Sequence, residues 1–183
     1  MSIRFPIILL GATALSACAT VENLADDVAN ELTTEQVGTA TLSFADGQPA
    51  GTARLLSDDG QLSLAVTVNG MEPGAHGFHL HTTGACNAPD FTSAGGHLNP
   101  YNRSHGRLSP DGSHLGDMPN LQVNASGSAS ATVDVSDSPA SALEEIYDAD
   151  GTAVVVHAGA DDYRTDPAGD AGSRIACGVL QRN

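Results

Sequence analysis

From Gln36 onward, apolar and polar residues alternate in short runs: Val37 to Phe44, Ala50 to Leu56, and Leu62-Ser63-Leu64-Ala65-Val66-Thr67-Val68. Period-two alternation sends successive side chains to opposite faces of a strand. Asp46-Gly47 and Asp58-Asp59-Gly60 separate these runs. Residues that tolerate positive φ make tight hairpin turns, so the three strands are expected to pair antiparallel. A fourth strand is expected around His76 to His81, followed by about forty residues rich in Gly, Asn, Pro, Ser and Asp without strong periodicity, a length at which loops are usually functional. Strand character returns at Leu121 to Asn124, Ser128 to Val135, Thr152 to His157 and Arg174 to Leu180, with a second polar loop over Asp161 to Ser173. About eight strands result.

The N-terminus follows a different pattern. Arg4 is followed by an apolar run, Phe5 to Ala14, and then by Leu15-Ser16-Ala17-Cys18. The run is shorter than the roughly 20 residues a membrane-spanning helix needs, and it reads as an export signal over residues 1–17. The tetrapeptide resembles the lipobox of bacterial lipoproteins, in which the cysteine becomes the acylated first residue, so Cys18 is the expected lipid anchor. Residues 18–35 are then an acidic tether and residues 36–183 the functional domain. The expected location is the periplasm, with the lipid in the outer membrane because no Asp follows Cys18.

Charge and cysteine content narrow the chemistry. The 183 residues hold 7 Lys and Arg against 22 Asp and Glu, a net charge of −15, and every basic residue is Arg. The arginines are scattered, so no cationic face exists to displace counterions from a phosphate backbone, which excludes nucleic acid as a partner. With Cys18 anchored, Cys86 and Cys177 are an even pair in an oxidising compartment, which implies a disulfide.

The histidines carry most of the information. All seven, at 76, 79, 81, 97, 105, 114 and 157, fall in the fourth strand, the long loop or a late strand. His79 and His81 at i, i+2 leave the same face of a strand and can reach one ion, although two surface imidazoles would give the same spacing. His97, His105, His114 and Asp117 offer three nitrogens and one oxygen, a complete tetrahedral shell for a structural zinc. His157 ends the apolar run Ala153-Val154-Val155-Val156 and is either a satisfied core histidine or a ligand. Copper(II) prefers four nitrogen donors. If His97 used both ring nitrogens it would complete both shells, an arrangement that chemistry allows and spacing does not require.

Several segments together, Gly77-Phe78-His79-Leu80-His81, Gly96-His97-Leu98-Asn99-Pro100, His105-Gly106, His114-Leu115-Gly116-Asp117, Val156-His157 and Gly172-Ser173-Arg174-Ile175-Ala176-Cys177-Gly178, resemble the copper,zinc superoxide dismutases, from about Gln36 to Gln181. The resemblance implies an all-β fold, an eight-stranded antiparallel Greek-key barrel or sandwich with long metal-binding and electrostatic loops. It implies copper on His79, His81, His97 and His157, zinc on His97, His105, His114 and Asp117, and a Cys86–Cys177 disulfide pinning the metal loop to the last strand. Asp161 matches a carboxylate that links a copper histidine to a zinc histidine, although it could equally be an exposed loop acid beside Asp162. Arg174 matches the arginine that docks the anion, although it could also bond loop carbonyls. The implied reaction turns two superoxide anions and two protons into dioxygen and hydrogen peroxide by copper redox cycling. Zinc is structural, and His97 supplies one proton.

The alternative is a non-enzymatic periplasmic domain that binds or delivers copper and zinc, which would have no use for an anion dock at Arg174. His76 is an additional histidine, expected on the face opposite His79 and given no metal role. The association state is expected to be monomer or homodimer. The second loop is short and lacks lysines, with Arg164 its only other cation before Arg174. The net charge repels an anion at long range, and only local focusing offsets this. The dismutation rate is therefore expected to fall only shallowly, or to rise, as salt is added; assays across ionic strength check this, and a steep decline contradicts it.

Overall fold

The structure is a computed structural model and describes residues 34–183. The signal peptide, Cys18 and most of the tether lie outside the described residues. Among the described residues ten strands and one α-helix form, with a single 3-10 turn at Thr92–Ala94: β1 (Glu35–Phe44), β2 (Pro49–Asp58), β3 (Gln61–Val68), β4 (Gly74–His76), β5 (Phe78–His81), β6 (Leu121–Val123), β7 (Ala129–Ser136), α1 (Pro139–Ile146), β8 (Ala153–His157), β9 (Arg174–Val179) and β10 (Gln181–Arg182). The first three strands are successive hairpins, as their alternation predicts, and Gly47 (φ 82°) and Gly60 (φ 96°) supply the left-handed residues at the turns.

The main sheet is antiparallel in the order β5-β8-β9-β1-β2-β3-β7, with β10 pairing on β1. The chain leaves β3 for the far edge and returns to β3 only with β7, a Greek-key path. The separate β4–β6 pair leads into β5 at one end and, around the Asn124–Ser128 turn, towards β7 at the other, so the sheet curls into an incompletely closed barrel. Leu42, Leu55, Leu64, Val66, Phe78, Leu80, Val154 and Val156 fill its interior. Among the described residues no helix is long and apolar enough to cross a membrane.

Side-chain parity in β5 and β8 places the histidines. Every residue of both strands is buried. Phe78, Leu80, Val154 and Val156 point into the barrel, so His79, His81 and His157 leave by the other face. Ala153 and Val155 share that outer face and pack under a second apolar cluster with Phe91, Ala94 and Cys177. Cys86 packs against the same cluster and is disulfide-bonded to Cys177, their Cα atoms 5.7 Å apart.

Besides the two-residue β10, which lies beyond the last expected strand, two elements differ from expectation. The strand expected over His76 to His81 is broken at Gly77, which donates its N–H to Gly159 O and accepts from His157 N. A Cβ at Gly77 would lie 3.0 Å from Ala171 Cβ and 3.2 Å from His79 Cε1, so a side chain at the bend would press on both. Helix α1 was not expected from periodicity. Ser138-Pro139 nevertheless offers a start signal, and Ala142 and Ile146, both buried, are spaced i, i+4.

The disulfide spans a sequence separation of 91 residues. Cys177→Ser is expected to lower the urea midpoint by an amount equivalent to about 2–5 kcal/mol, read from equilibrium unfolding of oxidised protein.

Candidate metal centre

The long loop returns to the barrel at β5. Leu98 N–H donates to Leu80 O, Leu80 N–H to Gly116 O, Gly116 N–H to Leu98 O and Thr82 N–H to Gly96 O, so two loop segments lie along the free edge of β5. A Cβ at Gly116 would overlap Leu80 O, which explains the glycine. His81 thereby faces His97, and His79 faces Asp117.

Two groups of donor atoms result. His79, His81, His97 and His157 form one, and His97, His105, His114 and Asp117 the other; within each group the ligand atoms all lie within 4.8 Å of one another. In the second group, Asp117 Oδ1 lies 2.8 Å from His97 Nδ1 and 3.1 Å from both His105 Nδ1 and His114 Nδ1. Ligands about 2.0–2.1 Å from a tetrahedral ion are about 3.3 Å apart, so this crowding approaches the edge length of a zinc tetrahedron. Asp117 Oδ2 accepts from Gly106 N–H (2.8 Å) and His114 N–H (3.0 Å), which turns Oδ1 inward.

Five of these six imidazoles donate one N–H to a protein acceptor. His79 Nε2 donates to Asp161 Oδ2 (2.8 Å), His81 Nδ1 to Gly95 O (2.9 Å) and His157 Nδ1 to Gly172 O (3.2 Å). His105 Nε2 donates to Asp161 Oδ1 (2.9 Å) and His114 Nε2 to Arg103 O (3.1 Å). Such anchoring fixes the tautomer and leaves the other nitrogen's lone pair for an ion. His97 has no anchor of this kind. Its Nδ1 faces only Asp117 within the second group, and its Nε2 is buried without a partner, as are His79 Nδ1, His81 Nε2 and His157 Nε2 of the first. Four buried nitrogens left without hydrogen bonds would be costly in a finished core, and they fit an ion with four nitrogen ligands.

Asp161 is only 3% exposed, which removes the reading of it as a loop acid. Arg174 donates Nη1–H to Phe91 O (2.6 Å) and Nη2–H to Gly95 O (2.5 Å), so the loop held by Cys86 also holds this guanidinium. Its positive charge acts on His81 and His157. His76 lies outside both groups, with Nδ1 2.8 Å from His157 O and Nε2 2.8 Å from Glu72 O. Period two does not carry across the break at Gly77, and the ring braces the main chain of His157. Three features of the site had no signal in local sequence: His76 as a brace, the Gly95 carbonyl shared by His81 and Arg174, and Asn120, which exchanges hydrogen bonds with the Asp161 main chain.

Residues 49–180 match the model of a family described as copper/zinc superoxide dismutase (SODC). The chain is 40% identical over 148 residues to a protein of Aquifex aeolicus (strain VF5) named Cu-Zn superoxide dismutase 2, covering 78% of this chain and 85% of that one. A solved SOD-like protein from Bacillus subtilis superposes with a TM-score of 0.72 at 40% identity, covering 78% of this chain and 97% of that one; it has also been solved as variants in which histidine replaces tyrosine and proline. The Cu/Zn superoxide dismutase from Brucella abortus superposes with a TM-score of 0.63 at 31% identity, covering 81% of this chain and 99% of that one. The chain belongs to the copper/zinc superoxide dismutase family.

Without metals, the first group and His105 respond to protons in opposite ways. Burial lowers His79 to about 3, against its hydrogen bond to Asp161, and lowers His81 to about 2 and His157 to about 4. Burial also acts to lower His105, but hydrogen bonds to Asp117 and Asp161 outweigh it and raise the ring to about 9. Those bonds hold both carboxyls below the usual range, against burial. Burial lowers His97 as well, and these four imidazoles, His79, His81, His97 and His157, stay neutral in the folded chain while their unfolded counterparts, near pH 6.5, take up protons, so their contribution is lost as pH falls below that value. The His105 contribution is complete below about pH 6.5 and lost as pH rises towards 9. The urea midpoint of metal-free protein is therefore expected to fall steadily from about pH 7 to about pH 4. A flat profile over that range contradicts neutral burial of these rings.

Proposed function

We propose that this chain is a superoxide dismutase, converting two superoxide anions and two protons to dioxygen and hydrogen peroxide, with copper held by His79, His81, His97 and His157 and zinc by His97, His105, His114 and Asp117. The observation that carries the ligand assignment is His97, which alone among the six imidazoles has no acceptor outside the two donor groups and turns one nitrogen to each. When bound, copper supplies one-electron exchange with superoxide, and zinc supplies charge and fixed geometry without redox change.

The residues of the chain do the rest. Asp161 orients His79 and His105 together, and Asp117 gathers three rings on one oxygen. Arg174 uses two of its five N–H groups on Phe91 O and Gly95 O, which keeps the remaining donors and a permanent charge available to bind and orient a small anion. Both readings of Arg174 thus apply to one side chain. His97 Nε2, buried and free of hydrogen bonds, is the atom that would hold a proton whenever it is not bound to copper.

We further place the protein in the periplasm. Residues 1–17 are an export signal, Cys18 is a lipid anchor to the outer membrane, residues 18–35 are a tether and residues 36–183 the dismutase domain, working as monomer or homodimer. The lipobox-like Leu15-Ser16-Ala17-Cys18 and a disulfide suited to an oxidising compartment support this reading.

Metal analysis with a dismutation assay tests the mechanism. His157→Ala is expected to lose copper and activity while retaining zinc. Arg174→Ala is expected to keep both metals and lose roughly 10- to 100-fold in kcat/KM, within the roughly 10- to 1,000-fold that local electrostatic focusing supplies. Unchanged activity in both variants overturns the proposal.

A further inference from the structure

The Asp161 carboxylate meets both ligand groups at once, and its side chain has no exposed surface. Oδ2 accepts from His79 Nε2, and Oδ1 from His105 Nε2 and from Tyr163 N–H (2.6 Å). Its main chain is clamped by Asn120, whose Oδ1 accepts from Asp161 N–H (2.8 Å) and whose Nδ2 donates to Asp161 O (2.9 Å). Those bonds fix the backbone, but they do not cover the carboxylate.

Gly169 provides the cover. The loop closes on itself through Asp162 N–H to Gly169 O (2.9 Å) and Gly169 N–H to Thr165 O (2.7 Å), which brings the Gly169 Cα against the carboxylate. A Cβ there would overlap Asp161 Oδ1 and lie 2.5 Å from Asp161 Cγ and 2.6 Å from His105 Nε2. Gly172 is a built-in contrast. Its φ is similarly positive, 78° against 66° at Gly169, yet a Cβ at 172 would meet nothing closer than 3.9 Å.

We propose that Gly169 is a positioning residue for the metal pair: its bare main chain closes over the Asp161 carboxylate and holds it on His79 and His105 together. A carboxylate so covered cannot rotate or admit water, and its charge stays on the two imidazole N–H groups that orient the rings. A larger residue at 169 displaces the carboxylate, frees His105 and weakens zinc first. This inference rests on the ligand assignment above.

Copper-free wild type, Gly169→Ala, Gly172→Ala, Asp161→Ala and the Asp161→Ala/Gly169→Ala double variant are compared by zinc competition against a chromophoric chelator and by the visible spectrum of bound cobalt(II). Gly169→Ala is expected to weaken zinc roughly 10- to 100-fold, the usual cost of losing a partner behind a ligand, and to alter the cobalt spectrum. Gly172→Ala carries the same backbone penalty and is expected to change zinc affinity less than about 3-fold. With the carboxylate already removed, Gly169→Ala is expected to add less than about 3-fold. Equal losses at 169 and 172, or the same loss at 169 with and without the carboxylate, overturn the role of Gly169. If Gly169→Ala alone does not fold, recovery of folded protein in the double variant supports the contact and failure to recover overturns it. Wild type that takes up no zinc overturns the ligand assignment and this inference with it. Normal wild-type uptake with unaffected variants overturns only the inference.

Discussion

One imidazole is shared by two groups of donor atoms. His97 is buried, has no carbonyl or carboxylate of its own to orient it, and stands between an unpartnered cluster of ring nitrogens and the Asp117 carboxylate. Its orientation must come from the donors on either side and from the backbone that carries it. That backbone is ordered by the three-way exchange among Leu80, Leu98 and Gly116, which makes the loop an extension of the β5 edge. The ladder supplies to the loop what regular secondary structure supplies elsewhere, saturated main-chain hydrogen bonds and therefore a fixed position for each side chain.

The two carboxylates divide the remaining work. Asp117 concentrates three rings on one oxygen and uses its other oxygen to lock two backbone amides. Asp161 reaches across the groups, touching one ring from each. The Gly95 carbonyl is a third junction, because it accepts from both His81 and Arg174. The guanidinium and an imidazole of the first group are thus registered to the same atom, on a loop that the Cys86–Cys177 bond ties to β9.

Much of this was legible in the sequence because it depends on local rules. Period-two alternation and Asp-Gly turns located β1 to β3, and the spacing of His79, His81, His97, His105, His114 and Asp117 located the candidate ligands. The break at Gly77 was hidden because β4 and β5 are too short for periodicity to reveal a change of direction. Helix α1 left a start signal at Ser138-Pro139 but carries only two buried residues, a weak stripe. The sequence left two readings open for Asp161 and for Arg174. Burial decides the first, and bonds to Phe91 and Gly95 show the carbonyl-binding half of the second. The roles of His76, Asn120 and Gly169 depend on main-chain atoms distant in sequence, which no residue pattern encodes.

Strand β8 divides its side chains between two environments, with Val154 and Val156 inside the barrel and His157 outside beside Ala153 and Val155. No candidate ligand contributes to the interior, so the oily centre of the molecule is complete whatever decorates its rim. The donor set and the apolar core are therefore separable by position: a substitution confined to the rim changes which donors are offered without touching a side chain of the barrel interior.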